Sequence, residues 1–185
     1  MSYEIIRLVT RDWPATVEAL RARGVDFYWR EREADEAESR EDGPKPVLCS
    51  EGPIASCPGW RDPEADWIYD MLRKGLDAES RAACDACFSR LFWDNGSGDR
   101  SSDLRGTGCS LDGIWYALAP ASVALVLAQL RRLPLEALEA AASAVQWESK
   151  YLPTFADFEH HLNNHKDLLE HAAKRRAGLL GLISA

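Results

Sequence analysis

The stretch TFADFEHHLNNHKDLLEHAAKRRAGLLGLIS, residues 154–184, combines the pattern of a long helix with that of a closing strand. Thr154 and Asp157 resemble a capping box, in which Asp157 stands where Glu is usual, so a helix should begin here. Apolar residues then recur at helical spacing, and the basic residues 174–176 suit the C-terminal end of the helix dipole. We expect Gly178 to cap this helix and the apolar residues after it to form a strand.

The rest of the chain supplies further helices and an N-terminal strand. Residues 3–9 are rich in β-forming types and predict a strand, and residues 25–29 predict a second one. Apolar stripes at helical spacing follow, and Trp67 and Trp115 fit stripes that should face the core. This order predicts an α+β fold: residues 1–185 form a single, mostly helical domain with a small sheet that includes the N-terminal and C-terminal strands.

Two segments in the second half carry a family resemblance. GIWYALAPASVALVLAQLRRLPLEAL (residues 113–138) and FEHHLNNHKDLLEHAAKRRAGLLGLIS (residues 158–184) resemble the YfbM-like family of domains of unknown function. The resemblance covers about the last 70 residues and lies mainly in hydrophobic spacing. It implies a small α+β fold and supplies no catalytic residues. Some relatives are suspected of acting in bacterial toxin–immunity or stress contexts, which would imply a regulatory role here.

Negative charge dominates the sequence. Asp and Glu number 30 against 22 Lys and Arg, which gives a net charge of −8. Residues 31–42 hold seven acids and two bases, and we expect an acidic, solvated loop over residues 31–46. A polyanion would be repelled at long range, so we expect no nucleic-acid partner, and a basic protein is the partner that the charge favours.

The sequence favours a cytoplasmic protein. Its first residues, MSYEIIRLVTRDWP, lack the basic region and apolar run of a secretory signal. No apolar stretch reaches the ~18 residues that crossing a bilayer requires, so we expect no membrane partner. The five cysteines, an odd number, agree with a reducing compartment.

The cysteines offer one possible metal site. Cys49, Cys57, Cys84 and Cys87 could supply four thiolates, and the two-residue gap in Cys84-Asp-Ala-Cys87 is typical of zinc sites. The seven-residue gap between Cys49 and Cys57 is not typical of zinc sites. Cys84 and Cys87 also share a helical face with Phe88. We therefore expect small core residues and no bound cofactor or metal, with a zinc-stabilised domain as the minor alternative.

Candidate contact residues surround a polar, Gly-rich loop at residues 94–110. Asp94 and Asp99 lie in this loop, but without the order of a calcium-binding EF-hand. Trp93 and Trp60 adjoin polar loops, where a tryptophan can line a ligand pocket, anchor a partner or cover the core. At Trp60 and Trp93 we expect covering of the core first and contact with a ligand or partner as the alternative. At Asp94 and Asp99 we expect turn formation or mobility first and contact with a ligand or partner as the alternative.

The histidines form the second candidate group. Asp157, His161 and His165 are spaced by four and line one edge of the predicted helix. Two histidines at this spacing can chelate a metal, but no HExxH or third-ligand motif accompanies them. His165 falls on the apolar face, His161 at its border, and His160 towards solvent. We expect this edge to contact a ligand or to be structural, and we predict no metal.

Two functional hypotheses follow. The first is a non-catalytic cytoplasmic binding or regulatory protein, of which a toxin neutraliser is one form. It is based on the negative charge, the seven tryptophans and the absence of a catalytic motif. The alternative is a small-molecule-binding protein or enzyme with a pocket near the 94–110 loop and the His161/His165 helix edge.

Overall fold

The computed structural model describes residues 4–10, 12–26, 28, 48–49 and 61–184 of the chain. The predicted acidic loop at 31–46, Trp60 and Cys57 lie outside the described residues. The helices are α1 Trp13–Arg23, α2 Arg61–Leu72, α3 Ala78–Phe88, α4 Pro120–Leu130, α5 Leu135–Ser143 and α6 Phe155–Lys174, with short 3₁₀ helices at Arg73–Gly75 and Asp99–Leu104. The strands are β1 Glu4–Thr10, β2 Leu48–Cys49, β3 Ile114–Leu118 and β4 Gly178–Ser184.

The four strands form one antiparallel sheet in the order β2-β1-β4-β3. β4 pairs with β1 from Glu4 opposite Ser184 to Thr10 opposite Gly178. The N-terminal and C-terminal strands are therefore neighbours at the centre of the sheet. This arrangement confirms the predicted α+β fold with a small sheet that includes both of these strands.

The two faces of the sheet pack against different helices. One face carries Ile5, Val9 and Leu179 and is covered by buried residues of α2 to α6, which form the larger core. The opposite face carries Leu8 and Leu180 and packs against α1 and the second 3₁₀ helix in a smaller core. Because side chains alternate across a strand, both faces of β1 and β4 are apolar and buried.

The junction between α6 and β4 differs from the prediction that Gly178 caps the helix. The residue with positive φ is Arg176, at 52°, and Gly178 is the first residue of β4. A Cβ at Gly178 would collide with the Trp13 ring and lie 2.7 Å from Thr10 Oγ1. Gly178 is therefore required by close packing against β1 and α1, and the left-handed position falls two residues earlier.

Two further sequence predictions are wrong. Among residues 25–29, the described ones form no strand: Asp26 and Tyr28 are helical, and Tyr28 N–H donates to the Val25 carbonyl (3.1 Å) in a helical turn that follows α1. Trp67 does not face the core and is 46% exposed. The buried stripe of α2 contains Ala65, Ile68, Tyr69 and Leu72, and at 100° per residue Trp67 falls outside it.

Candidate functional site

His161 and His165 lie one turn apart on α6, and both side chains are fully buried. Their rings stand perpendicular with centroids 4.8 Å apart, and Phe92 packs on both at 5.9 and 5.8 Å. The predicted inward position of His165 and the exposure of His160 are confirmed. His161 is more deeply buried than its predicted border position.

Arg7 on β1 reaches this pair from the sheet. Its Nη2 donates a hydrogen bond to His165 Nε2 (3.3 Å). A guanidinium has no acceptor, so Nε2 is the acceptor in this hydrogen bond. Arg7 and Tyr116 stand opposite Gly181 on either side of β4, and Tyr116 is also fully buried. The histidine edge is thus part of a polar cluster inside the fold.

The Asp157 carboxylate takes part in the cap at the start of α6. Its Oδ2 accepts hydrogen bonds from the Thr154 backbone N–H (3.1 Å) and from Thr154 Oγ1 (2.5 Å). Thr154 Oγ1 in turn accepts from Asp157 N–H at 3.2 Å. This reciprocal pattern confirms the predicted helix start. Whether Asp157, His161 and His165 contact a ligand stays a prediction.

Trp93 is covered and belongs to a group that we call the Trp93 set: Trp93, Tyr69, Arg73 and Asp85. The Trp93 indole is buried, and the guanidinium of Arg73 lies over it, with Arg73 Cζ 5.1 Å from the ring centroid. Arg73 donates to both carboxylate oxygens of Asp85 (2.7 and 2.8 Å), and Tyr69 Oη donates to Asp85 Oδ1 (2.7 Å). The Arg73 guanidinium therefore makes a cation–π contact with the indole and a charged hydrogen-bonded pair with the carboxylate, both within the fold.

The electrostatics of the Trp93 set favour an ionised Asp85. Burial raises the pKa of the Asp85 carboxyl, but the hydrogen bonds from Arg73 and Tyr69 outweigh it and hold this pKa below its usual range. Burial and the bond to Asp85 raise the pKa of the Tyr69 hydroxyl, so it stays protonated and donates. The depressed pKa of Asp85 means that its ionised form stabilises the fold at neutral pH.

A second group, the Trp115 set, also combines a tryptophan, an arginine and a carboxylate, and contains Trp115, Arg100 and Asp94. The Arg100 guanidinium lies 4.1 Å from the Trp115 ring centroid and donates to Asp94 Oδ2 (2.6 Å). The Asp94 N–H donates to Asp66 Oδ1 (3.0 Å), and burial raises the pKa of Asp66. Asp99 begins the second 3₁₀ helix, where its N–H donates to Ser97 Oγ (3.1 Å).

Cys84 and Cys87 are both fully buried on α3, where burial raises the pKa of Cys84 to about 12 and that of Cys87 as well. The predicted packing of both thiols in the core is confirmed. Within the described ranges, which omit the Cys49 side chain and all of Cys57, no group of three or more His, Cys, Asp or Glu could hold a metal ion. No helix in those ranges is long and apolar enough to cross a membrane.

An open groove of about 550 Å³ lies between the end of α5 and the start of α6. We call it the α5–α6 groove. Its lining consists of Glu139, Ala142, Ser143, Val145, Gln146, Trp147, Glu148, Pro153, Thr154 and Phe155. This volume lies in the range typical of ligand sites. The sequence interpretation did not single out these residues, although a Trp-Glu pair in the irregular link between two helices is a usable signal.

Hydrogen bonds fix the shape of this groove. Trp147 Nε1 donates to the Leu152 carbonyl (2.8 Å), which holds the half-buried indole in place. Ser149 Oγ accepts from Leu152 N–H (2.9 Å) and tightens the intervening turn. Phe155, also half-buried, packs on Phe158 of the core with ring centroids 6.2 Å apart. Both aromatic walls are therefore anchored before any ligand arrives.

The groove is acidic. Glu139 and Glu148 are exposed on its lining, and neither forms an ion pair within the part of the chain that the structure describes. Among the residues that the structure describes, no Lys or Arg belongs to the lining. Residues 134–159 contain five acids and one base, Lys150, whose ammonium lies over the Tyr151 ring at 5.3 Å. A cation with an apolar stem fits these walls in both charge and polarity.

Comparisons of the chain with protein-family models, with curated proteins and with solved structures found no match.

Proposed function

We propose that this protein is a non-catalytic binding protein that recognises a basic segment of a partner protein through the α5–α6 groove. The observation that supports this proposal is the pairing of two anchored aromatic walls, Trp147 and Phe155, with two carboxylates, Glu139 and Glu148. The described part of the groove lining contains no basic residue. Aromatic walls hold the apolar stem of a basic side chain, and carboxylates hold its charged end.

The charge of the whole chain supports the same partner. A net charge of −8 attracts basic proteins at long range and raises their rate of encounter. Long-range attraction alone is non-specific, so specificity would come from the groove, where a side chain can be enclosed. A basic toxin in the cytoplasm is one partner of this class, and neutralisation would follow from covering its basic surface.

The direct test uses a blocked peptide, Gly-Arg-Gly-Lys-Gly-Arg-Gly-Lys, titrated into the ¹⁵N-labelled protein. We expect the indole N–H resonance of Trp147 to shift with a Kd of about 0.1–1 mM at about 30 mM NaCl. Because the charges are exposed and screened by salt, affinity should fall several-fold at about 300 mM NaCl. The Trp147→Phe variant identifies the resonance, and the same peptide with Glu in place of each basic residue is the ligand control.

Matched variants separate the groove from general charge. Glu139→Gln together with Glu148→Gln should weaken peptide binding about tenfold, while leaving the free energy of unfolding within about 0.5 kcal/mol. Glu136→Gln removes one exposed charge from α5, at a position outside the groove lining, and should leave the affinity for the peptide within about twofold. The proposal fails if the Trp147 resonance does not move, or if Glu136→Gln weakens binding as much as the double variant.

We also infer that the second half of the chain is related to the YfbM-like family. In support, the two resembling segments cover β3, α4 and the start of α5, and then most of α6 and all of β4. The test is a superposition of residues 113–184 on an experimental structure of a family member. A different order of strands and helices there would overturn this relationship without affecting the groove proposal.

A further inference from the structure

This fold combines tryptophan, arginine and carboxylate twice among its described residues. In the Trp93 set, Arg73 lies over the indole and binds Asp85 through two nitrogens. In the Trp115 set, Arg100 lies 4.1 Å from the indole centroid and binds Asp94. In both sets the cation that faces the indole is a guanidinium.

The α5–α6 groove contains the same parts without the cation. Trp147 supplies an indole, Glu139 and Glu148 supply carboxylates, and none of the described lining residues is basic. Trp147 Nε1–H is already bonded to the Leu152 carbonyl, so this indole can engage a ligand only through its ring surface. A planar group that stacks on a ring and donates from its edge to a carboxylate suits this arrangement.

We propose that the α5–α6 groove is an arginine-binding site and prefers arginine over lysine in the partner segment. This inference rests on the proposed function and adds the identity of the anchoring side chain. The guanidinium stacks on Trp147 and donates its N–H groups to Glu139 or Glu148. A lysine ammonium has no plane to stack and is more strongly hydrated, so it loses more on leaving water.

The test compares two blocked peptides, Gly-Arg-Gly-Arg-Gly and Gly-Lys-Gly-Lys-Gly, by isothermal titration of the full chain. We expect the arginine peptide to bind at least about fivefold more tightly. Trp147→Leu should reduce this ratio to about one, because the leucine has no ring to stack on. Trp67→Leu is the matched control: it removes an exposed tryptophan from α2 and should keep the ratio.

The outcomes separate the two proposals. If neither peptide binds, the proposed function fails together with the arginine preference. If both bind equally, or lysine binds more tightly, the groove remains a basic-segment site and only the arginine assignment is overturned. Should Trp147→Leu not fold by circular dichroism, Trp147→Phe provides the test: a smaller ratio supports the assignment, and an unchanged ratio contradicts it.

Discussion

The Trp93 set and the α5–α6 groove are built from similar side chains and differ in what completes them. In the Trp93 set, Arg73 covers the indole and engages Asp85, so that every charged end finds its counterpart within the fold. In the groove, Trp147 and the carboxylates of Glu139 and Glu148 face open space. The indole and carboxylate of the first region are paired within the fold, whereas those of the second are accessible to a ligand from solvent.

The difference shows how burial assigns a role to a chemical group. Trp93 is 6% exposed and packs at 5.1 Å on Tyr69 in an edge-to-face arrangement, so its ring contributes to stability. Trp147 is half-buried, and the uncovered part of its ring contributes little until a ligand covers it. Substitutions in the two regions should therefore affect different measurements.

The largest expected effect comes from replacing the buried tryptophan. Trp93→Leu should lower the free energy of unfolding by about 3 kcal/mol, because it leaves a cavity in the core and removes a hydrogen bond to Asp70. Trp147→Leu should cost less, about 1–2 kcal/mol, since that ring is only partly buried at the edge of the larger core, although the variant also loses the hydrogen bond to the Leu152 carbonyl. Urea denaturation of both variants measures the difference.

The comparison would break if the two tryptophan variants lost equal stability, since Trp147 would then be a core residue like Trp93. Leu104→Ala in the smaller core is a useful reference for a buried cavity on the other side of the sheet, with an expected loss of about 2–5 kcal/mol.

A smaller effect is expected from the carboxylate of the Trp93 set. Asp85→Asn removes the charge that Arg73 and Tyr69 both engage, and should cost about 1–2 kcal/mol because the pair is partly exposed. Thermal unfolding followed by circular dichroism should show a lower Tm. The groove substitution Glu148→Gln should leave Tm unchanged within error, and an equal drop in the two variants would contradict the distinction.

The smallest expected effect is the pH dependence of the stability that Asp85→Asn loses. Since the folded pKa of Asp85 is depressed, its contribution to stability is fully present above its unfolded pKa of about 4 and is lost as pH falls through the folded value. The stability difference between the original chain and Asp85→Asn should thus be constant from about pH 5 to 7 and narrow below about pH 4. A difference that widens on acidification would show that Asp85 is not held ionised by Arg73.

The sequence predicted much of the fold because local chemistry agreed with the final packing. The capping box at Thr154 and the apolar run of β4 each appear where their residue types favour them. The strand predicted at residues 25–29 failed among its described residues because a short segment rich in aromatic residues fits a helical turn as well as a strand. Only contacts with the rest of the chain distinguish the two.

The candidate site was less predictable from the sequence. Spacing placed His165 on an apolar face, but the depth of His161 depends on Phe92, which lies about 70 residues away in the chain. Trp93 was recognised as a residue beside a loop, whereas its burial follows from packing against Tyr69 and Arg73. The groove joins residues of two helices and their link, and no single periodicity marks it.

By itself, the sequence determined the negative charge, the helix starts and the α+β class, because charge is additive and caps and periodicity act over a few residues. Tertiary structure alone decided which chemical groups are enclosed. Arg73 and Arg100 contact tryptophan and carboxylate partners on other elements, 6 to 20 residues away in the chain, whereas Trp147 and its neighbouring carboxylates lie at an open edge. These contacts exist only after the helices, loops and strands that carry the residues have packed together.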